Sequence, residues 1–189
     1  MSENNFNLFF KKLISCGIER ELVENLFNKF GEKLKTASYS TRMDSGCCGE
    51  GTLIDTILFS LAASAVKLND IFPEEMRIDK SSLVKVCLLQ HISKCERLVK
   101  QFDDFRINRL GELYTYNNNV PAIGVGLHSM IMANECGITF TPLEAEAMTI
   151  IDKSESDEQS KYYSSTLSTI VKMANEIVYV KCRELNKKI

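Results

Sequence analysis

At 189 residues the chain is long enough to bury one sizeable core and short for two, so one domain over 1–189 is expected. Its formal net charge of −2 provides no basic field of the kind that draws a protein non-specifically onto a phosphate backbone. No run of eighteen apolar residues occurs, and the opening MSENNFNLFF lacks a basic segment ahead of an apolar one, so a soluble cytoplasmic protein away from the membrane is expected. Cys16, Cys47, Cys48, Cys87, Cys95, Cys136 and Cys182 contain no C-x-x-C pair, a distribution that predicts reduced, partly buried thiols and no structural zinc.

Apolar residues at helical spacing predict a helix through Phe6–Leu13 and a second through Leu22–Phe30, with a turn at Cys16-Gly17-Ile18 and a stop at Gly31. The stretch 36–51 is rich in Ser, Thr and Gly without a period and reads as a loop. From Thr52 to about Lys67 the circumference is mostly apolar, which predicts a helix buried on most sides. A second buried helix, capped by Asp79 or Ser81, should run over about 82–95. Alternation around Leu110-Gly111-Glu112 suggests a β-hairpin within 102–119. Helical periods return over about Ile123–Cys136, over Pro142–Ile151 behind a Thr141 cap, and over Tyr162–Arg183, with 152–161 as an exposed connection. The predicted class is all-α, a helical bundle with one small β-hairpin.

Several segments in this order form a recognisable series. STR (40–42) and GEGTLIDTI (49–57) come first, then LLQHISK (88–94), then VPAIGVGLHS (120–129), and last KMAN (172–175). Over about 36–185 the chain resembles the HD-domain superfamily of metal-dependent phosphohydrolases, in particular its small phage and mobile-element members. The resemblance implies that the helices of 1–35 pack on an HD-like bundle. HD enzymes hold a divalent ion with a His from the first buried helix, a His-Asp doublet from the second and an Asp from the last. The ion turns bound water into the hydroxide that attacks phosphorus.

At the matched positions this chain carries Asp55, the pair Gln90 and His91, and Asn175, while Val125 and Leu127 stand where the accessory His and Glu belong. Carboxamides are poor ligands for a divalent ion, so the resemblance implies a pseudoenzyme with a dismantled metal site, no metal and no cofactor. Only His91 and His128 exist in the chain, which excludes a site built on several imidazoles. A site rebuilt from Asp55, His91 and Asp44 is the catalytic alternative. Otherwise Asp55, on an apolar helix, should pair with His91 or Lys172 in the old cleft.

Arg42, Lys94, His128 and Lys172 match or adjoin positions that face substrate phosphate in the family and form a candidate anion site. GCCGEG (46–51) could turn backbone N–H groups toward a phosphate, although it fits no Walker or dinucleotide fingerprint. Three functions follow as expectations: an inactive interaction or assembly module with a protein partner or a second copy of itself, a binder of a nucleotide or cyclic nucleotide, and a phosphohydrolase with a rebuilt site. A phage origin would place the protein in the host cytoplasm or the virion.

Overall fold

The computed structural model describes residues 3–153 and 164–186, and it is 68% helical with one two-stranded antiparallel sheet, an all-α fold with a small hairpin. Helices α1 (Glu3–Ser15) and α2 (Arg20–Thr36) are joined by a turn in which Gly17 takes φ +84°. Phe27 pins them together, its ring lying 4.7 Å from that of Phe6 and 4.9 Å from that of Phe10. The predicted stop at Gly31 is not observed. Gly31 is buried inside α2, where the close ring of Phe6 compensates for its weak helix preference, and the helix runs on to Thr36.

The apolar stretch after the glycine-rich loop becomes helix α3 (Thr52–Ile71), longer than predicted and containing a π-helical segment at Ile57–Ala62. By length and composition α3 could cross a membrane. Its composition is accounted for by packing: Leu53, Ile54, Ile57, Leu61 and Ala65 are fully buried against the rest of the core. Helix α4 (Lys80–Leu89) is capped by Asp79, which accepts from the Ser82 amide. It ends six residues before the predicted limit, in a turn over 90–93, and a short helix α5 (Lys94–Arg97) follows.

The predicted hairpin exists with its strands further apart. Strands β1 (Leu98–Lys100) and β2 (Tyr114–Tyr116) pair antiparallel with Leu98 opposite Tyr116, and helix α6 (Asp104–Leu110) lies between them. Asp103 caps α6 by accepting from the amides of Phe105 and Arg106, and Gly111 ends it at φ +65°. Those two punctuation residues override the alternation that suggested strand. Helices α7 (Val125–Asn134) and α8 (Pro142–Thr149) follow, and α9 (Thr166–Asn186) buries Ile170, Val171, Ala174, Val178 and Cys182 along one face. Residues 162 and 163 of the predicted last helix, and most of the predicted connection 152–161, lie outside the described residues.

A buried cluster fastens α8 to α4. Glu144 accepts from Ser82 Oγ at 2.7 Å, Lys85 Nζ at 2.9 Å and the Thr141 amide at 2.9 Å, while Thr141 Oγ1 accepts from the Glu144 amide. Burial pushes the Glu144 carboxyl upward, but the bonds from Lys85, Ser82 and Thr141 outweigh it and leave it below its usual value. A depressed carboxyl stabilises the fold above the unfolded pKa, and that contribution is lost as pH falls through the folded value. Lys85→Ala is therefore expected to cost on the order of 3 kcal/mol at pH 7 in urea unfolding. The difference from wild type should shrink at acid pH as Glu144 protonates; a loss below about 0.5 kcal/mol at pH 7 would mark the pair as solvated.

Candidate functional site

Gln90 and His91 occupy the turn that closes α4, and buried serines hold that turn in place. Ser93 donates its amide to Ser129 Oγ at 3.0 Å and its hydroxyl to the Val125 carbonyl at 2.9 Å, tying the turn to the start of α7. The start of α7 needs glycine for steric reasons. A Cβ on Gly126 would lie 1.9 Å from the Met148 carbonyl oxygen, and one on Gly124 would lie 2.1 Å from Asp152 Cγ. The Asp152 carboxylate accepts from the amides of Gly126 and Leu127, at 3.0 and 2.8 Å, and so caps α7 from across the chain.

Three of the four matched metal positions meet. Gln90 Nε2 donates to the carbonyls of Ala147 and Met148, at 2.8 and 3.3 Å, so its oxygen faces Asn175. Asn175 Nδ2 donates to that oxygen at 2.8 Å and to the Val171 carbonyl at 2.9 Å, which commits both amide hydrogens. Asn175 Oδ1 is therefore an acceptor, and His91 Nε2, 2.7 Å away, must carry the proton. Burial, aided by the Lys94 charge, pushes the His91 pKa down to about 3 against the opposing bond to Asn175. His91 is a neutral imidazole whose buried Nδ1 has no partner among the described residues.

Above this neutral base opens a cleft of about 580 Å³ lined by His91, Lys94, Val125, Lys172, Asn175 and Tyr179, with Lys153, Asp152 and Glu176 among the remaining wall residues. Lys94 Nζ donates to the Tyr39 carbonyl at 2.8 Å and sits 3.5 Å from the centre of the Tyr39 ring. Burial of the ammonium group pushes its pKa down to about 7, while the π face of Tyr39 works in the opposite direction by favouring the cation. The same tyrosine covers His91, with ring centroids 5.2 Å apart, and burial drives its own hydroxyl well above the usual phenol range.

The remaining predicted site residues lie elsewhere. Asp55 is half-buried and accepts from Asn5 Nδ2 on α1 at 2.9 Å, so the predicted pairing with His91 or Lys172 is not formed; that face of α3 is turned toward α1. Arg42 is exposed and paired with Asp44 at 2.8 Å, and its backbone bridges to Glu112. His128 is buried in a separate cavity beside Glu96 and Lys33. Leu127 is partly exposed and does not line the cleft, whereas Val125 does. The proposed trio of Asp55, His91 and Asp44 is not assembled, and among the described residues no three His, Cys, Asp or Glu side chains are grouped as a metal would need.

The predicted reduced state of all seven cysteines is also corrected. Cys47 and Cys182 form a disulfide across 135 residues, the loop and α9 being brought together by the fold, while Cys16, Cys48, Cys87, Cys95 and Cys136 are free. Tyr39 and Asp152 are site residues that sequence reasoning missed. The only signal for Asp152 was the G-x-G opening of α7, which marks a place where another chain segment approaches the backbone.

The network generates a prediction. Asn175→Ala strands the His91 Nε2 proton and the Gln90 oxygen and is expected to cost about 1–3 kcal/mol in chemical denaturation. In wild type the imidazole nitrogens of His91 should show the Nε2–H tautomer and no titration between pH 5 and 8 by nitrogen-detected NMR. Titration of His91 near 6.5 would contradict the burial of its ring and its bond to Asn175.

No family model, no curated protein and no solved structure matches the chain.

Proposed function

We propose that this chain is a non-hydrolytic HD-like protein that works by binding, and that its cleft receives an anionic ligand of the nucleotide or cyclic-nucleotide class. The observation that carries the reading is the neutral Gln90–Asn175–His91 base beneath a rim bearing Lys94, Lys153 and Lys172. A metal-dependent hydrolase needs acidic ligands at that base to bind a divalent ion and generate hydroxide. A hydrogen-bonded carboxamide pair offers neither. The cations above it favour phosphate oxygens, and Tyr116 and Tyr179 on the walls offer faces for a base.

A specific observation supports a second reading, an interaction or assembly module. Phe102 and Phe105, 87% and 65% exposed, project from α6 and its lead-in, with Leu110 partly exposed at the far end. Large apolar side chains clustered on a short inserted helix fit a protein contact better than a fold requirement.

Purified protein is expected to release no phosphate from nucleoside mono-, di- or triphosphates or cyclic dinucleotides in Mg²⁺ or Mn²⁺. Calorimetry against the same panel should find a binder, weakened about ten- to a hundredfold by Lys94→Ala or Lys172→Ala, the loss of one charge-assisted hydrogen bond. Metal-dependent turnover that disappears in His91→Ala would overturn the reading. Absence of binding across the panel, together with self-association abolished by Phe102→Ser and Phe105→Ser in light scattering, would favour the assembly module.

A further inference from the structure

The loop over 37–51 is seated on α9 by more than surface contact. Gly46 takes φ +73°, and a Cβ there would lie 1.8 Å from the Cys182 carbonyl oxygen, so the two backbones touch. The next residue, Cys47, is bonded to Cys182 itself, with 5.7 Å between their Cα atoms. From Cys47 a short chain of bonds leads to the cleft. Thr52 Oγ1 shares its one hydrogen between the carbonyls of Cys47 and Gly49, at 2.9 and 2.8 Å, and accepts from the Tyr39 amide at 3.1 Å, and the Tyr39 carbonyl holds Lys94. The disulfide also forms one wall of a cavity of about 270 Å³ whose other walls include Tyr39, Lys94 and Tyr179, and Lys94 and Tyr179 are shared with the main cleft.

We propose that Cys47–Cys182 is a thiol–disulfide clamp on this cleft. In the oxidised protein it holds Tyr39, and through Tyr39 the Lys94 ammonium, in position; reduction frees the loop from α9 and loosens both. The reductant is a small external thiol of the glutathione class. Its thiolate attacks one sulfur of the bond, forming a mixed disulfide and expelling the other cysteine as a thiolate that takes up a proton. A second small thiol then displaces the remaining cysteine, leaving Cys47 and Cys182 as thiols and one molecule of small-molecule disulfide. Cys48 is adjacent but half-buried, and burial holds it as a thiol, so the attack is assigned to the external reagent.

The ligand arm of this inference depends on the anion-binding reading above; the loop arm does not. The full chain carrying Cys48→Ser is compared in the oxidised and dithiothreitol-reduced states, its thiol content fixed by alkylation and mass spectrometry, alongside a Cys47→Ser, Cys182→Ser variant. Reduction is expected to raise hydrogen exchange over residues 37–51 and acetylation of Lys94 severalfold while exchange in α4 and α8 stays unchanged. The double-serine variant should resemble the reduced protein and ignore dithiothreitol. Any nucleotide that binds should bind at least fivefold more weakly after reduction. The inference is overturned if oxidation leaves both cysteines alkylatable, if Lys94 and the loop behave alike in the two states, or if exchange rises uniformly through the fold. A response of Lys94 and the loop with no nucleotide bound in either state keeps the clamp and rejects the nucleotide reading.

Discussion

Asn175 commits both amide hydrogens and its oxygen to three partners, and through Gln90 and His91 it ties α9 to the turn that closes α4. Gln90 extends the bonding to the carbonyls of Ala147 and Met148, and the Met148 carbonyl is also where Gly126 brings the start of α7 into contact. Each such bond contributes only about a kcal/mol net, but leaving one buried member without its partner costs more than the bond supplies. The set is therefore cooperative: it is tolerated in the core only when complete.

The lack of charge in that network shapes the cleft above it. Carboxylates at the Gln90 and Asn175 positions would create a field able to hold a divalent cation and would favour protonation of His91. With carboxamides there, His91 stays neutral, and among the described residues Lys94 has no acidic partner and settles on a carbonyl oxygen and the face of Tyr39. Asp152, a wall residue of opposite sign, has its carboxylate committed to the amides of Gly126 and Leu127. Lys94, Lys153 and Lys172 thus share the walls of the cleft with Asp152 and Glu176, above a base that carries no charge.

Residues whose role follows from local chemistry were legible. The Asp79 cap, the Thr141 cap, the turn at Gly17 and the buried character of α3 all depend on neighbours within a few positions. LLQHISK and KMAN, far apart in the chain, place Gln90, His91 and Asn175 in one hydrogen-bonded group. Asp55 and His128 were misassigned for a common reason. Each lies on a helix whose rotation is decided by packing, so sequence order placed the helix correctly and its facing residue wrongly. The hairpin was displaced because alternation over a few residues does not distinguish a strand from a short helix when Asp103 and Gly111 supply both ends.

The sequence by itself determined the helical class, the caps and turns and the apolar faces, because these are set by composition and by residues close along the chain. The tertiary structure alone decided which polar groups share a cavity, that Tyr39 rather than Asp55 covers His91, and that Cys47 finds Cys182 across 135 residues. Those outcomes depend on distances of a few ångströms between segments far apart in the chain. Such distances follow from how all the helices pack at once, and no local pattern of residues encodes them.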